Sequence, residues 1–412
     1  MQSVVWCQVN GNRWRLRLDP ITCLLGARAL RDFGDGFIAV LLPVYLLSLG
    51  LTPFQVGVVA SVSLLGSAFL TIGAGLLGAR YGYRRLLLAA ASLMIATGVA
   101  FALVHEYALL LVIAFTGTIN PAAGSVSVFV PLEHAALSAA VRDSDRTKMF
   151  ARYSLVGAFA AAAGALAAAL PDVVAPLGID QLTAIKAMFV LYALLGAVGG
   201  ALYAHVPRAE VEPGTPAASP LGPSRKVVLK LAALFSLDAF AGGFVVQSLL
   251  ALWLFERFDL SLSAAGAFFF WSGVASAFSF PVAAWLSRRI GLVNTMVFTH
   301  IPSSIALILA ALAPTLPAAL ALLLVRAALS QMDVPTRSSY VMAIVTPAER
   351  AAAASFTSVP RSLAAAASPA LAGALFAASY RSWPLFICGM LKITYDLLLL
   401  VQFRHQRPPE ER

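Results

Sequence analysis

The chain has 412 residues, of which 60% are apolar and only 12% are charged. Soluble proteins carry about 25% charged residues, so this chain cannot cover a water-soluble surface. Its mean hydropathy is +0.85, and several apolar runs exceed the roughly 18 residues that cross a hydrocarbon core about 30 Å thick. The composition predicts an all-α polytopic membrane protein.

The net charge of +10 does not indicate a nucleic-acid partner, because the basic residues lie in short clusters between apolar segments. The three cysteines and five histidines are scattered, so we expect no disulfide framework and no metal site. The motifs GxxxxGK[ST], HExxH and GxSxG do not occur. We therefore expect no ATP-driven step, no enzymatic activity and no cofactor.

Polar residues, prolines and glycines divide the chain into twelve predicted spans. In chain order the spans are 20–49, 53–79, 86–104, 107–132, 150–171, 184–206, 229–255, 262–287, 292–313, 317–337, 351–379 and 383–403. The fourth is interrupted by Asn120 and Pro121. No cleavage site follows the first apolar segment, so we expect it to be retained.

The loops between these spans alternate in charge. One set carries most of the 29 Lys and Arg, whereas the opposite loops carry only Arg257 and Arg381. The positive-inside rule therefore places both termini in the cytoplasm. The 24 arginines against five lysines, with abundant alanine, are typical of a GC-rich bacterial genome, so we expect a multi-pass protein of the bacterial inner (plasma) membrane.

A repeat divides the chain into two halves. The segment that starts at Leu51 matches the one at Leu260, Arg80-Tyr81-Gly82 matches Arg289-Ile290-Gly291, and Gly164 matches Gly373, all at an offset of 209. Five prolines lie near the midpoint, between residues 206 and 224, and predict a solvated linker. We expect an N-terminal six-helix bundle (1–205), a cytoplasmic linker (206–229) and a pseudo-symmetric C-terminal six-helix bundle (230–412).

The segment GLLGARYGYRR, residues 75–85, resembles the loop motif between spans two and three of the major facilitator superfamily. It departs from that motif at Ala79, where the family usually has Asp. The resemblance implies the fold of that superfamily, alternating access and a gating role for the loop. The implied gating residues are Gly75, Arg80, Gly82, Arg84 and Arg85, with Arg289 and Gly291 in the second repeat.

Ionisable residues inside apolar helices are the strongest indication of a site, since each costs about 2.5–3.5 kcal/mol at the bilayer centre. They are Arg28, Arg31, Asp32 and Asp35 in span one, Asp238 in span seven, Arg326 and Asp333 in span ten, Arg361 in span eleven, and Lys392 and Asp396 in span twelve. Three (i, i+4) pairs occur among them: Arg28 with Asp32, Arg31 with Asp35, and Lys392 with Asp396. The superfamily resemblance implies that spans one and ten line a central cavity.

We expect Asp35, with Asp32, to carry a coupling proton, and Arg326, with Arg31, to bind an anionic or polar solute group. Buried charge pairs can also simply fix helix packing, which is the favoured alternative for Asp238, Arg361 and the Lys392–Asp396 pair. Arg28 can snorkel to the membrane surface. Asn120 and Gln247 are either hydrogen-bonding groups of a cavity or packing contacts.

The function predicted from these residues is secondary active transport of a small organic solute by a monomer, with the proton as coupling ion. Proton-coupled efflux by antiport is favoured. Proton-coupled uptake of an organic anion or metabolite and a non-transporting membrane scaffold or sensor are the alternatives.

Overall fold

A computed structural model of the chain describes residues 19–123, 127–141, 143–207, 222–346 and 349–404. This part of the chain is α-helical and contains no strand. Its helices are α1 (Pro20–Ser48), α2 (Pro53–Tyr81), α3 (Tyr83–Leu103), α4 (Tyr107–Thr116), α5 (Phe129–Ala140), α6 (Asp143–Ala167), α7 (Leu170–Val174), α8 (Gln181–Tyr203), α9 (Arg225–Gly243), α10 (Gln247–Phe258), α11 (Leu262–Ile290), α12 (Leu292–Leu312), α13 (Leu316–Ser330), α14 (Asp333–Ile344), α15 (Arg350–Ala377) and α16 (Trp383–Phe403). We call residues 19–207 the N-half and residues 222–404 the C-half.

Most predicted spans match these helices within a few residues, but three spans are broken. Span four separates into α4 and α5, and it continues to Ala140, beyond the predicted end at 132. The chain becomes extended at Gly117, just before Asn120 and Pro121, and proline removes a backbone donor from a helix. Spans seven and ten break between α9 and α10 and between α13 and α14, which the sequence analysis did not predict.

Nine helical segments of the described chain are long and apolar enough to cross a membrane. Three other predicted spans do not meet that standard: α1, the broken pair α4–α5, and α15. The helix α1 carries four charged side chains, and the residues that make it a candidate site are therefore the ones that keep it below this standard. Twelve crossings therefore remain the prediction.

In each half, a glycine at the equivalent position of the first helix allows close packing against the fifth span of that half. A side chain at Gly36 on α1 would collide with the backbone of Ala161 on α6. Likewise, one at Gly243 on α9 would collide with Ala365 and Ser368 on α15. Glycine allows both close approaches because it has no Cβ. The equivalent contacts support the proposed division into two pseudo-symmetric bundles.

The turn of the motif is also repeated in the structure. Gly82 links α2 to α3 with φ of 74°, and Gly291 links α11 to α12 with φ of 87°. A side chain is strained in this region of backbone conformation, whereas glycine is not. The two glycines, which the sequence repeat pairs at an offset of 209 residues, thus form equivalent turns in the two halves.

The two halves meet at one end of the helices, which we call the far face. It carries Gly50, Gly178, Asp259 and Ser379, each a turn residue with positive φ. The opposite end, the termini face, is where α1 begins and α16 ends. The guanidinium of Arg257 links three far-face turns, because it donates to Ser382 Oγ and to the carbonyl of Ala313.

The two halves contact each other near the far face. Gly57 on α2 packs on Gly373 of α15, and Gly266 on α11 packs on Ala165 of α6. A Cβ at Gly373 would lie 2.9 Å from Gly57 Cα, and one at Gly266 would lie 2.7 Å from the Ala165 carbonyl oxygen. Asp172 accepts hydrogen bonds from the backbone and hydroxyl of Ser263 across the same boundary, at 2.9 and 3.0 Å. The halves are therefore joined at the far face.

Candidate functional site

Arg31 is the centre of a buried charge cluster in the N-half. Its guanidinium lies 2.9 Å from Asp32, 3.1 Å from Glu133 and 3.7 Å from Asp35. Arg28 also binds Asp32, with 2.7 Å between Nε and Oδ2. The predicted (i, i+4) pair of Arg28 and Asp32 is present, whereas the pair of Arg31 and Asp35 is longer. All five side chains are buried.

Glu133 on α5 is fully buried and is a site residue that was not predicted from the sequence. Besides Arg31, it accepts hydrogen bonds from the hydroxyls of Tyr153 on α6 and Tyr203 on α8. These donors satisfy a carboxylate that would otherwise be too costly to bury. The signal in the sequence was a carboxylate beyond the predicted end of an apolar span, together with tyrosines on the next two spans.

Asp35 has longer contacts with its partners than the other two carboxylates of the cluster have with theirs. One oxygen lies 3.7 Å from Arg31, and the other accepts a hydrogen bond of 3.3 Å from Tyr192 on α8. The Tyr192 hydroxyl is shared with Thr118, whose carbonyl oxygen lies 3.1 Å away. Asp35 is therefore the carboxylate of this cluster whose negative charge is least compensated.

A second buried cluster lies in the C-half and joins α9, α14 and α16. Asp238 accepts from Lys392 Nζ at 2.6 Å and from Arg337 at 3.1 Å, and Arg337 also binds Asp333 at 2.7 Å. Arg337, at the end of the tenth predicted span, is buried within α14. The structure thus assigns this arginine to the site and not to the membrane surface.

The predicted pair of Lys392 and Asp396 is wrong, because each residue has another partner. Asp396 lies 3.0 Å from Nδ1 of His300 on α12, and Lys392 binds Asp238. Lys392 Nζ also lies 3.3 Å from His300 Nε2. In the sequence the histidines were considered only as possible metal ligands. His300 was therefore not predicted as a polar member of the cluster.

Arg326 and Arg361 differ from the cations of the two clusters, because neither guanidinium has an ion pair or hydrogen bond among the described residues. Arg326 on α13 is half-buried and Arg361 on α15 is exposed. Arg361 lies within electrostatic range of Arg337, Asp238 and Asp333. These two arginines are the cations of the C-half that remain available to a solute.

The breaks in spans four and seven contact each other across the two halves. The carbonyl of Pro121 accepts a hydrogen bond of 3.0 Å from the backbone of Ser248. The side chain of the adjacent Asn120 accepts from Ala122 within its own turn, and half-buried Gln247 begins α10. Irregular backbone at membrane depth is tolerated only inside protein or along a hydrated cavity. The breaks therefore mark the same region as the charges.

The predicted gating residues lie around the two equivalent turns. Arg84 donates to the carbonyl of Ala204 at 2.6 Å, and Arg289 stacks on Trp285 with 4.6 Å to the ring centroid. Arg85 is exposed, and open space adjoins Gly75. The side chain of Arg80 is outside the described part of the chain. Among the described side chains, the motif thus binds within its own half.

Comparison with known proteins agrees with this architecture. A sequence model of the Major Facilitator Superfamily matches residues 24–301 and again residues 232–412. An uncharacterized membrane protein of Saccharomyces cerevisiae, YJR124C, is 25% identical over 410 residues, which cover 91% of this chain and 92% of the yeast protein.

Solved transporter structures share the fold. An auto-inhibited peptide transporter of the POT family matches with a TM-score of 0.72 and 13% identity, over 94% of this chain and 97% of its own. The nucleoside transporter NupG gives 0.71 and 14%, over 94% and 100%. A bacterial homologue of the human lysosomal transporter Spinster, inward-facing and unoccupied, gives 0.65 and 14%, over 93% and 95%. The chain is a membrane transporter that belongs to the Major Facilitator Superfamily.

Proposed function

We propose that the protein is a monomeric secondary transporter that moves a small organic solute by alternating access, coupled to protons. The observation that carries this proposal is the contrast between Asp35, whose charge is poorly compensated, and Arg326, which has no partner among the described residues. One group is suited to bind a proton and the other to bind an anionic or polar solute group.

Asp35, with Asp32, is the proposed proton site. Burying a carboxylate is costly unless opposite charges and hydrogen bonds compensate it, so a proton lowers that cost most where compensation is weakest. Asp32 faces two guanidinium groups at 2.7 and 2.9 Å, whereas Asp35 faces one at 3.7 Å. We therefore assign the proton primarily to Asp35.

The solute site is proposed to lie on the C-half. Arg31 is engaged by Asp32, Asp35 and Glu133, so we assign it to the proton site in place of the solute site. Arg326 and Arg361, in place of Arg31, are the residues that bind the solute's anionic group, since a guanidinium binds carboxylate and phosphate oxygens with two parallel hydrogen bonds. Asn120 and Gln247, at the broken helices, lie on the same boundary between the halves.

The topology we propose determines which side of the membrane is closed in this form. With the termini face in the cytoplasm of a bacterial cell, contacts at the far face make this form closed to the outside. Efflux by proton antiport is the first candidate. The two arginines without partners favour a second candidate, in which an organic anion and a proton move together.

Transport by protein in liposomes tests the proposal. Organic anions that raise the melting temperature of the purified protein are assayed for solute-driven proton flux. We expect Asp35→Asn to retain solute binding and lose proton flux, whereas the matched control Asp180→Asn, at the far-face end of α8, keeps both. Unchanged proton flux in the double variant Asp32→Asn/Asp35→Asn contradicts the proposed proton site. Absence of flux for every stabilising solute favours a scaffold or sensor.

A further inference from the structure

His300 lies between an anion and a cation in the C-half, and it is 2% exposed. Its Nδ1 lies 3.0 Å from Asp396 Oδ2, and its Nε2 lies 3.3 Å from Lys392 Nζ. A lysine ammonium has donors and no acceptor, so Nε2 must accept from it. The proton of the neutral imidazole is therefore on Nδ1, which donates to Asp396.

A proton added at Nε2 removes one of the two acceptors of the Lys392 ammonium and places two cations 3.3 Å apart. Asp238 is within reach of both groups, because Oδ1 lies 2.6 Å from Lys392 Nζ and 3.9 Å from His300 Nε2. Asp238 is also bound by Arg337. The imidazolium and the ammonium consequently compete for the same carboxylate oxygen.

Lys392 is the group that can leave. Its side chain is 13% exposed, against 3% for His300 and 6% for Asp238, and it has a flexible stem. Gly242 lies beside it, and even a Cβ there would be 3.9 Å from Nζ. Cys388, about one helical turn earlier on α16, is within electrostatic range of both Lys392 and Arg326. A released ammonium therefore lies near the arginine that the solute is proposed to bind.

The charge of the cluster favours this proton. The carboxylates of Asp238, Asp333 and Asp396 face the cations of Arg337 and Lys392, so the cluster has one excess negative charge while His300 is neutral. The remaining neighbours are the Tyr395 ring, 6.1 Å away and edge-on, and exposed Arg361, which forms no pair with the cluster among the described residues. A buried net charge is costly, and a proton on His300 removes it.

We propose that His300 is a second proton-binding site, separate from Asp35, and that its protonation transfers Asp238 from Lys392 to the imidazolium. One proton from water binds Nε2, and the Lys392–Asp238 ion pair is replaced by a His300–Asp238 pair. The freed Lys392 ammonium then joins Arg326 in binding a carboxylate or phosphate oxyanion. This last step rests on the proposed transport function, in its form in which proton and anion bind together.

Nitrogen NMR of the purified protein, without any solute, tests the proton site directly. The chain has only five His and five Lys, so ¹⁵N-labelled side chains of each type give few signals, and His300→Gln and Lys392→Gln assign two of them. We expect the His300 ring to change from the neutral Nδ1–H form to the imidazolium as the pH of the sample is lowered from 8 to 5. A ring that stays neutral across this range in folded protein overturns the proposal.

The release of Lys392 is tested on the same samples. We expect its Nζ signal to shift with the midpoint of the His300 ring, and to lose that shift in His300→Gln. The exposed contact of Lys186 with His105, 2.7 Å long, is the matched control and must be unaffected by that variant. A Lys392 signal that does not follow His300 overturns the release. If both NMR results appear and no organic anion is transported, the transport proposal fails and the proton site stands.

Discussion

The charge clusters of the two halves have the same balance of charges but different hydrogen-bonding groups. Each pairs three carboxylates with two cations, so each holds one excess negative charge among the described residues. In the N-half the remaining hydrogen bonds come from tyrosine hydroxyls, on Tyr153, Tyr192 and Tyr203. In the C-half they come from His300. The repeat therefore fixes the helices and not the proton carrier, which we propose to be a carboxylate in one half and an imidazole in the other.

The largest effect is expected when the central arginine of either cluster is removed. Arg31→Met leaves three buried carboxylates with one cation, and Arg337→Met does the same in the C-half. Loss of one partner of a buried ion pair costs about 3–5 kcal/mol, so both variants should be strongly destabilised in detergent unfolding titrations. Arg28→Met is the milder control, because Arg28 contacts only one of the three carboxylates, Asp32, and otherwise donates to the Tyr153 hydroxyl. Two variants of wild-type stability would mean that these charges are not buried as described.

The contact between the halves should be the next most sensitive feature. Gly57→Val places a side chain against Gly373 and Pro369, and overpacking of this kind costs about 1–3 kcal/mol. We expect it to favour a form that is open at the far face. In that form the distance between spin labels, attached to cysteines that replace Ser48 and Asp259, should be longer. Gly199→Val, at a glycine with open space around it, is the control. An unchanged distance in Gly57→Val argues against closure at this contact.

A smaller effect distinguishes the tyrosine donors from the histidine. Tyr203→Phe removes a hydrogen bond to the buried Glu133 carboxylate, and an unsatisfied buried acceptor costs about 1–3 kcal/mol. We expect Tyr203→Phe to lower the unfolding free energy equally at pH 8 and pH 5.5, because neither hydroxyl nor phenyl titrates there. The loss in His300→Gln should instead depend on pH. Equal pH dependence in the two variants would remove the distinction between the clusters.

The smallest effect concerns Glu349, outside the spans, where the chain enters α15. Hydrogen bonds from the hydroxyls of Ser224 and Thr346 lower the pKa of Glu349 from its ordinary 4.5 to about 2. A carboxyl whose folded pKa is depressed stabilises the protein above its unfolded pKa, and that stabilisation is lost as pH falls to the folded value. We expect Glu349→Gln to lower the melting temperature at pH 7. The difference from wild type should shrink between about pH 4.5 and pH 2, and a constant difference would contradict this.

Much of the fold can be predicted from the sequence because the hydropathy of a span and the positions of its glycines can be read from neighbouring residues. The ends of α1, α12 and α16 agree with the predicted spans within a residue, and the 209-residue offset correctly pairs the turns at Gly82 and Gly291. The contact of Arg28 with Asp32 was predictable because it lies within one helix.

The partners of the buried charges were not predictable in the same way. His300 meets Asp396 across 96 residues, and Arg31 meets Glu133 across 102. Such contacts depend on how the helices pack, which helical spacing does not determine. For that reason (i, i+4) spacing wrongly paired Lys392 with Asp396. A useful correction is to treat every ionisable or phenolic side chain in a span as a candidate partner for every other.

The central claim is that each half stores one excess negative charge that a single proton neutralises, at Asp35 in one half and at His300 in the other. Its most direct test is the number of protons that purified, solute-free protein takes up between pH 9 and pH 5. We expect Asp35→Asn and His300→Gln each to take up one proton fewer than wild type, and the double variant two fewer. Equal uptake by wild type and the double variant would contradict the account.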